Sequence, residues 1–322
     1  MTGFNPKWKD FPDFIIGITK EIWEDRNIAS LHHYYGDDII VRSPASVVRG
    51  NKGVIAATLA TLAEFPDRQL FGEDVIWHDD PVHGLMSSHR LMCTATHSGS
   101  GMYGEATGRK LRYRILADCA CRNDGVYDEW LVRDQGAVVR QMGVEPKAYA
   151  ADLIERQGGP DRCVKPFTPD LDIDGGYHGR GNDHPVGRRY ADLLSAIADA
   201  DLAAIGREYD RAVQSELPGG ETGYGREAVD FFWLNLRSAF PDAKFEIHHV
   251  IGRNDEEFSP RAAVRWSLTG KHSGWGAFGT PTGADVHVMG MSHAEFGPWG
   301  LRREWILIDE TAIWKQILLK TG

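Results

Sequence analysis

A chain of 322 residues, 42% hydrophobic and 25% charged, has the composition of a soluble globular protein long enough for two domains that each bury a core. Its formal net charge of −10, with no stretch that concentrates Lys and Arg, argues against nucleic acid as a partner. No apolar run reaches membrane-spanning length and Met1–Asp10 lacks a secretory-signal pattern, so no membrane partner and a cytoplasmic location are expected.

Along the chain, Val54, Ala57, Thr61 and Phe65 recur at helical spacing and Pro66 stops them. Asn123-Asp124-Gly125 is a strong hairpin signal ahead of Val126 to Val132, which reads as a strand. From about residue 143 to 188 the prolines and glycines predict an irregular linker in which only Pro146 to Gln157 is helical. Tyr190, Leu193, Leu194 and Ile197 open a second helical stretch. Val229, Phe232, Trp233, Leu236 and Phe240 form another, stopped by Pro241. Ala263 to Thr269 and Val286 to Met291 then alternate with period two, as strands do.

These elements are one unit written twice. Phe65 to Met142 aligns with Phe240 to Ile317 without a gap, matching Phe65-Pro66-Asp67 to Phe240-Pro241-Asp242, His97-Ser98-Gly99 to His272-Ser273-Gly274, and Glu129-Trp130 with Asp134 to Glu304-Trp305 with Asp309. Helices followed by an antiparallel sheet predict an α+β unit with the helices on one face of a curved sheet enclosing a pocket. The expected domains are residues 1–143 and 187–322, joined by 144–186.

The order of helix, Phe-Pro-Asp, Arg-bearing strand, H-S-G-x-G-x-x-G, T-G and E-W-x-x-x-D resembles the SnoaL-like polyketide cyclases of the nuclear transport factor 2-like superfamily. The resemblance implies tandem cone-shaped barrels with apolar pockets, no metal and no cofactor, and an aspartate acting as acid and base in an aldol ring closure. Asp134 and Asp309 stand at that position. It also implies that the two copies pair sheet to sheet within one chain, and two such chains could pair further. The expected ligand is a small apolar or carbonyl-containing compound. The expected chemistry is aldol cyclisation or isomerisation, the alternative being a ligand-binding or structural pseudo-dimer without turnover.

The residues leave their own alternatives open. Asp134 and Asp309 are candidate bases, yet each precedes a short helical stretch that it could cap. His97 and His272 could polarise a carbonyl or bond the glycine-rich loop. Arg90 and Arg265 could hold a carboxylate or enolate oxygen, or pair with Glu129 and Glu304; an epoxide-hydrolase-like water site would use the same pairs. Trp130, Trp305, Tyr34, Tyr209, Tyr103 and Phe278 are matched aromatics that could line a pocket or fill a core. Gly99, Gly101 and Gly104 lead into a strand rather than a helix, so they form a turn and not a phosphate loop. Cys93, Cys119, Cys121 and Cys163 have no metal or redox spacing. Duplication lets the halves diverge so that one pocket is blocked while the other works; the sequence does not decide which, although the second copy carries more His and Trp, among them His248, His249, His293, Trp266, Trp275 and Trp299.

Overall fold

The computed structural model describes residues 1–322. The first half runs α1 (Phe11–Thr19), α2 (Leu31–Tyr34), β1 (Tyr35–Ser43), β2 (Ser46–Arg49), α3 (Asn51–Glu64), β3 (Gln69–Asp80), β4 (Gly84–Thr96), β5 (Lys110–Arg122), β6 (Gly125–Arg133) and α4 (Gln135–Gln141). After α5 (Pro146–Arg156), the second half repeats that order. Its elements are α6 (Pro185–Ala198), α7 (Ala203–Glu208), β7 (Tyr209–Leu217), β8 (Glu221–Tyr224), α8 (Arg226–Ala239), β9 (Lys244–Arg253), β10 (Arg261–Lys271), β11 (Asp285–Gly297), β12 (Gly300–Leu307) and α9 (Glu310–Thr321). No helix is long and apolar enough to cross a membrane.

Local signals account for the boundaries. Gly50 and Gly225, at φ 83° and 78°, turn the chain into α3 and α8 through a conformation that side chains resist. Phe65 and Phe240 close those helices ahead of the prolines. Asn123 and Asp124 both adopt positive φ and bring Arg122 opposite Gly125, the primed geometry that suits a two-residue hairpin. The glycine-rich loop clamps a helix end: Gly99 N and Gly274 N donate to the Glu64 and Ala239 carbonyls, 3.0 and 3.2 Å away. A Cβ at either glycine would collide with the helix backbone.

Each half thus builds an α+β unit around six strands, ordered β2-β1-β6-β5-β4-β3 and β8-β7-β12-β11-β10-β9. The sheets are open rather than closed into barrels. They are also mixed, because β1 runs parallel to β6 and β7 to β12. Turn signals in a sequence report only strands joined by tight turns, and neither parallel pair is joined that way.

The sheets face each other. Ile76, Met86, Leu116, Trp130 and Val132 pack with Ile251, Ala263, Met289, Met291 and Leu307. The contact is reciprocal: Arg90 lies 3.5 Å from the Trp305 ring centroid and Arg265 lies 3.8 Å from that of Trp130, so equivalent residues exchange partners. The connecting segment straps this arrangement. Phe167 and Tyr177 enter the shared core, Tyr177 Oη lies 2.7 Å from His249 Nε2, and Lys315 Nζ on α9 donates to Gln157 Oε1 at 2.7 Å.

Candidate functional site

Side chains on β6 alternate between two destinations. Trp130 and Val132 turn toward the other half and Asp128, on the same face, accepts from Arg42 and from Tyr177 N of the connecting segment, whereas Glu129, Leu131 and Arg133 line a cavity of about 290 Å³ bounded by α1, α3 and the sheet. Its wall is mainly apolar, with Ile18, Val54, Leu91, Ile115 and Val138 prominent. Glu129 Oε2 is sealed from solvent and has no hydrogen-bond partner. Burial raises the Glu129 carboxyl from 4.5 to about 7, with Tyr35 opposing and Asp128 adding to the rise. His89, also in the wall, is pushed down to about 4 by burial and is therefore neutral near pH 7; its Nδ1 lies 3.2 Å from Ser87 Oγ.

The second half has the same scaffold but is filled. Where α3 presents Thr58 to the cavity, α8 presents Trp233; where β4 and β5 pair Leu91 with Ile115, β10 and β11 pair Trp266 with Gly290. Gly290 is required there, since a Cβ would strike the Trp266 ring. Trp266 Nε1 donates to Ser292 Oγ at 2.9 Å, and Trp233 packs 5.5 Å from Trp266 between centroids. In consequence the second half has one continuous core of 30 residues, whereas that of the first is divided into clusters of 15 and 11 residues on either side of the hollow. The tryptophans that leaned toward the second copy do not line an open pocket there: Trp233 and Trp266 are filling, while Trp275 and Trp299 are exposed at the surface. Glu304 survives beside them, with Oε1 accepting from Tyr190 and Tyr209 hydroxyls at 2.7 and 2.8 Å.

Most of the other expected site residues go elsewhere. Asp134 caps α4: its Oδ1 accepts from Ala137 N at 3.0 Å and Gly219 N at 2.9 Å, and its Oδ2 from Gly220 N at 3.0 Å. Burial raises it to about 6, but its oxygens are occupied and it does not line the cavity. Asp134→Ala is expected to lower stability by about 1–2 kcal/mol through loss of the cap. Binding of a ligand in the cavity should not change, and calorimetric melting and titration read the two effects separately.

Asp309 caps α9 with Oδ1, which accepts from Thr311 N, Thr311 Oγ1 and Ala312 N at 2.9, 2.7 and 3.1 Å. Its Oδ2 accepts none of these bonds, and the residue borders the first half's cavity rather than its own. Burial raises its carboxyl to about 6.

His97 and His272 are loop staples outside the cavity, each with Nδ1 3.0 Å from a threonine Oγ1, of Thr107 and Thr282 respectively. Arg90 and Arg265 do not meet Glu129 and Glu304, which lie on the opposite sheet face. Their Nε atoms donate to Glu73 at 2.9 Å and Asp118 at 3.0 Å within the interface, which removes the geometry for an epoxide-hydrolase-like water site. Trp130 and Trp305 belong to the same interface. Tyr34 bonds Lys7 and Glu21 instead of lining the hollow, and the strand register makes Tyr35 the counterpart of Tyr209. Tyr103 does line the cavity and donates to Gln135 Oε1; its match Phe278 is packed against Phe240 and Trp314.

The wall also holds Arg68, Tyr113 and Arg133, which sequence reasoning passed over. The signal was present in the alignment as difference rather than identity: these three oppose Ala243, Val288 and Ile308.

Against known families, residues 13–142 match the SnoaL-like polyketide cyclase model and residues 188–303 match the SnoaL-like domain model. Among solved structures, IdmH from Streptomyces antibioticus is 22% identical over 41% of this chain and 98% of its own, with a TM-score of 0.36. TsrD from Streptomyces laurentii is 17% identical over 42% and 98%, at 0.36. A SnoaL-like polyketide cyclase from Agrobacterium tumefaciens str. C58 is 20% identical over 42% and 98%, at 0.33. No curated protein matches.

Proposed function

Since the chain belongs to the SnoaL-like family and carries two copies of its domain in tandem, we propose that the first copy acts as a cyclase or isomerase on a small, largely apolar carbonyl compound. In this reading the modules are residues 1–143 and 187–322, and the second serves as a filled partner that presents Asp309 to the first. The observation that carries the reading is Glu129, a buried carboxyl raised to about 7 with one unpartnered oxygen in an apolar cavity.

A carboxylate so placed can take a proton from a carbon beside a carbonyl, leaving an enolate. The resulting carboxylic acid can return that proton to carbon, or to the alkoxide formed when the enolate attacks a second carbonyl. The chemistry runs without a cofactor. Water exclusion by the apolar wall strengthens the base by withholding its hydration.

Hydrogen–deuterium exchange at the acidic carbon of 2-tetralone, followed by NMR, tests this. The protein is expected to accelerate exchange well above buffer. A protein that binds 2-tetralone and leaves the rate at the buffer level is a ligand carrier and not an enzyme of this class.

A further inference from the structure

Five arginines in this protein are buried, and four of them have a carboxylate partner: Arg42 with Asp128, Arg90 with Glu73, Arg261 with Asp74 and Arg265 with Asp118. The fifth, Arg68, is 6% exposed and has none; its Nε is sealed and without a hydrogen-bond partner. Arg133, half-buried at the end of β6, repeats the anomaly with a sealed, unpartnered Nε and no carboxylate within salt-bridge distance. Both line the cavity, and the strand register brings them to one part of its wall: Leu70, two residues after Arg68, pairs with Cys93, Cys93 with Tyr113, and Ile115, two residues after Tyr113, with Arg133. An unpaired cation in an apolar enclosure is strongly unfavourable unless something anionic meets it. The second half shows what happens when the hollow is filled: Arg68, Arg133, Tyr113 and Tyr103 give way together to Ala243, Ile308, Val288 and Phe278.

We infer that Arg68 and Arg133 form an anion subsite that receives the carboxylate of the cavity's ligand, making that ligand an apolar keto acid rather than a neutral ketone. Guanidinium groups match a carboxylate's two oxygens. Glu129 and Arg133 are four residues apart on one strand, about 13 Å between their Cα atoms at extended spacing. The carboxylate therefore sits at one end of the ligand and the acidic carbon toward the other. The subsite rests on the reading of the cavity as a ligand site, but not on turnover there.

The test is calorimetric titration of the intact protein with 2-naphthoate and with the isosteric neutral 2-naphthamide. Naphthoate is expected to bind at least ten-fold more tightly, against the repulsion of a protein of net charge −10. The preference should disappear in Arg68→Ala/Arg133→Ile, which installs the second half's residues, and fall in the milder Arg133→Met. Naphthamide binding as tightly as naphthoate in the wild type would overturn the anion subsite while leaving the cavity as a ligand site. An unchanged preference in a folded variant would overturn its location. Binding of neither compound would overturn the ligand-site reading itself, and the subsite with it.

Discussion

Leu91→Trp combined with Ile115→Gly should abolish ligand binding in the first half, weakening it by about 100-fold or more, because it transplants the Trp266–Gly290 pair that fills the second. The two positions are directly paired across β4 and β5, as Trp266 and Gly290 are across β10 and β11, so the indole has a backbone already known to accept it. Filling a hollow adds packing contacts, while glycine in a strand removes some; stability should stay within about 1 kcal/mol of wild type. Titration with 2-naphthoate measures the first effect and thermal unfolding the second. A folded double variant that binds as wild type does would show that the ligand lies outside this cavity.

Glu129→Gln carries the second large effect. It should reduce catalysed exchange at the acidic carbon by about 10²–10⁴-fold, the usual contribution of a positioned base. In the wild type the rate should rise with pH through about 7 as the carboxyl ionises. The same shift has a sign in stability. Between pH 4.5 and 7 the unfolded chain releases this proton while the folded chain keeps it, so rising pH favours unfolding across that window. The loss amounts to about 3 kcal/mol and is complete above the folded midpoint. Glutamine removes it. The variant should therefore gain stability relative to wild type between pH 5 and pH 8, measured by denaturant titration at both. Glu304, raised to about 7 by burial, contributes a parallel loss that the substitution leaves in place. A stability difference independent of pH would mean that Glu129 ionises normally.

The repeat and its α+β content were legible because helix stops, hairpin turns and periodicity are local properties. Phe65-Pro66-Asp67, Asn123-Asp124-Gly125 and the Val229 to Phe240 stripe all mark what they were read to mark. The site was less legible, for three physical reasons. Both faces of each sheet are buried, one under helices and one against the other half. Glu129 and Trp130 are each 7% exposed although they point opposite ways, so alternation could not tell pocket from interface. Aromatic richness is ambiguous in the same manner: of the matched aromatics that could line a pocket, Tyr103 does, whereas Trp130 and Trp305 lie in the interface, and Trp233 and Trp266 fill the second half. Finally, the hairpin joining β7 to β8 has three connecting residues where that joining β1 to β2 has two. This shifts the register and made Tyr34 stand in for Tyr35.

Asp134 shows how one inserted residue decides a role. The longer hairpin of the second half supplies the Gly219 and Gly220 amides that occupy both of its oxygens. The shorter hairpin of the first half has Pro44-Ala45 at its tip, where proline offers no amide, and both residues line the cavity that Asp309 also borders. Two aspartates at equivalent positions thus meet different surroundings, one committed to backbone donors and one with an oxygen left over at the cavity wall.

Crystals pressurised with xenon, which enters apolar hollows large enough to hold it, examine the two halves in one measurement. Xenon density should appear in the first half among Leu91, Ile115 and Val138, and be absent from the second around Trp233, Trp266 and Gly290. Xenon in the second half, or none in the first, would contradict the division into one hollow and one filled copy.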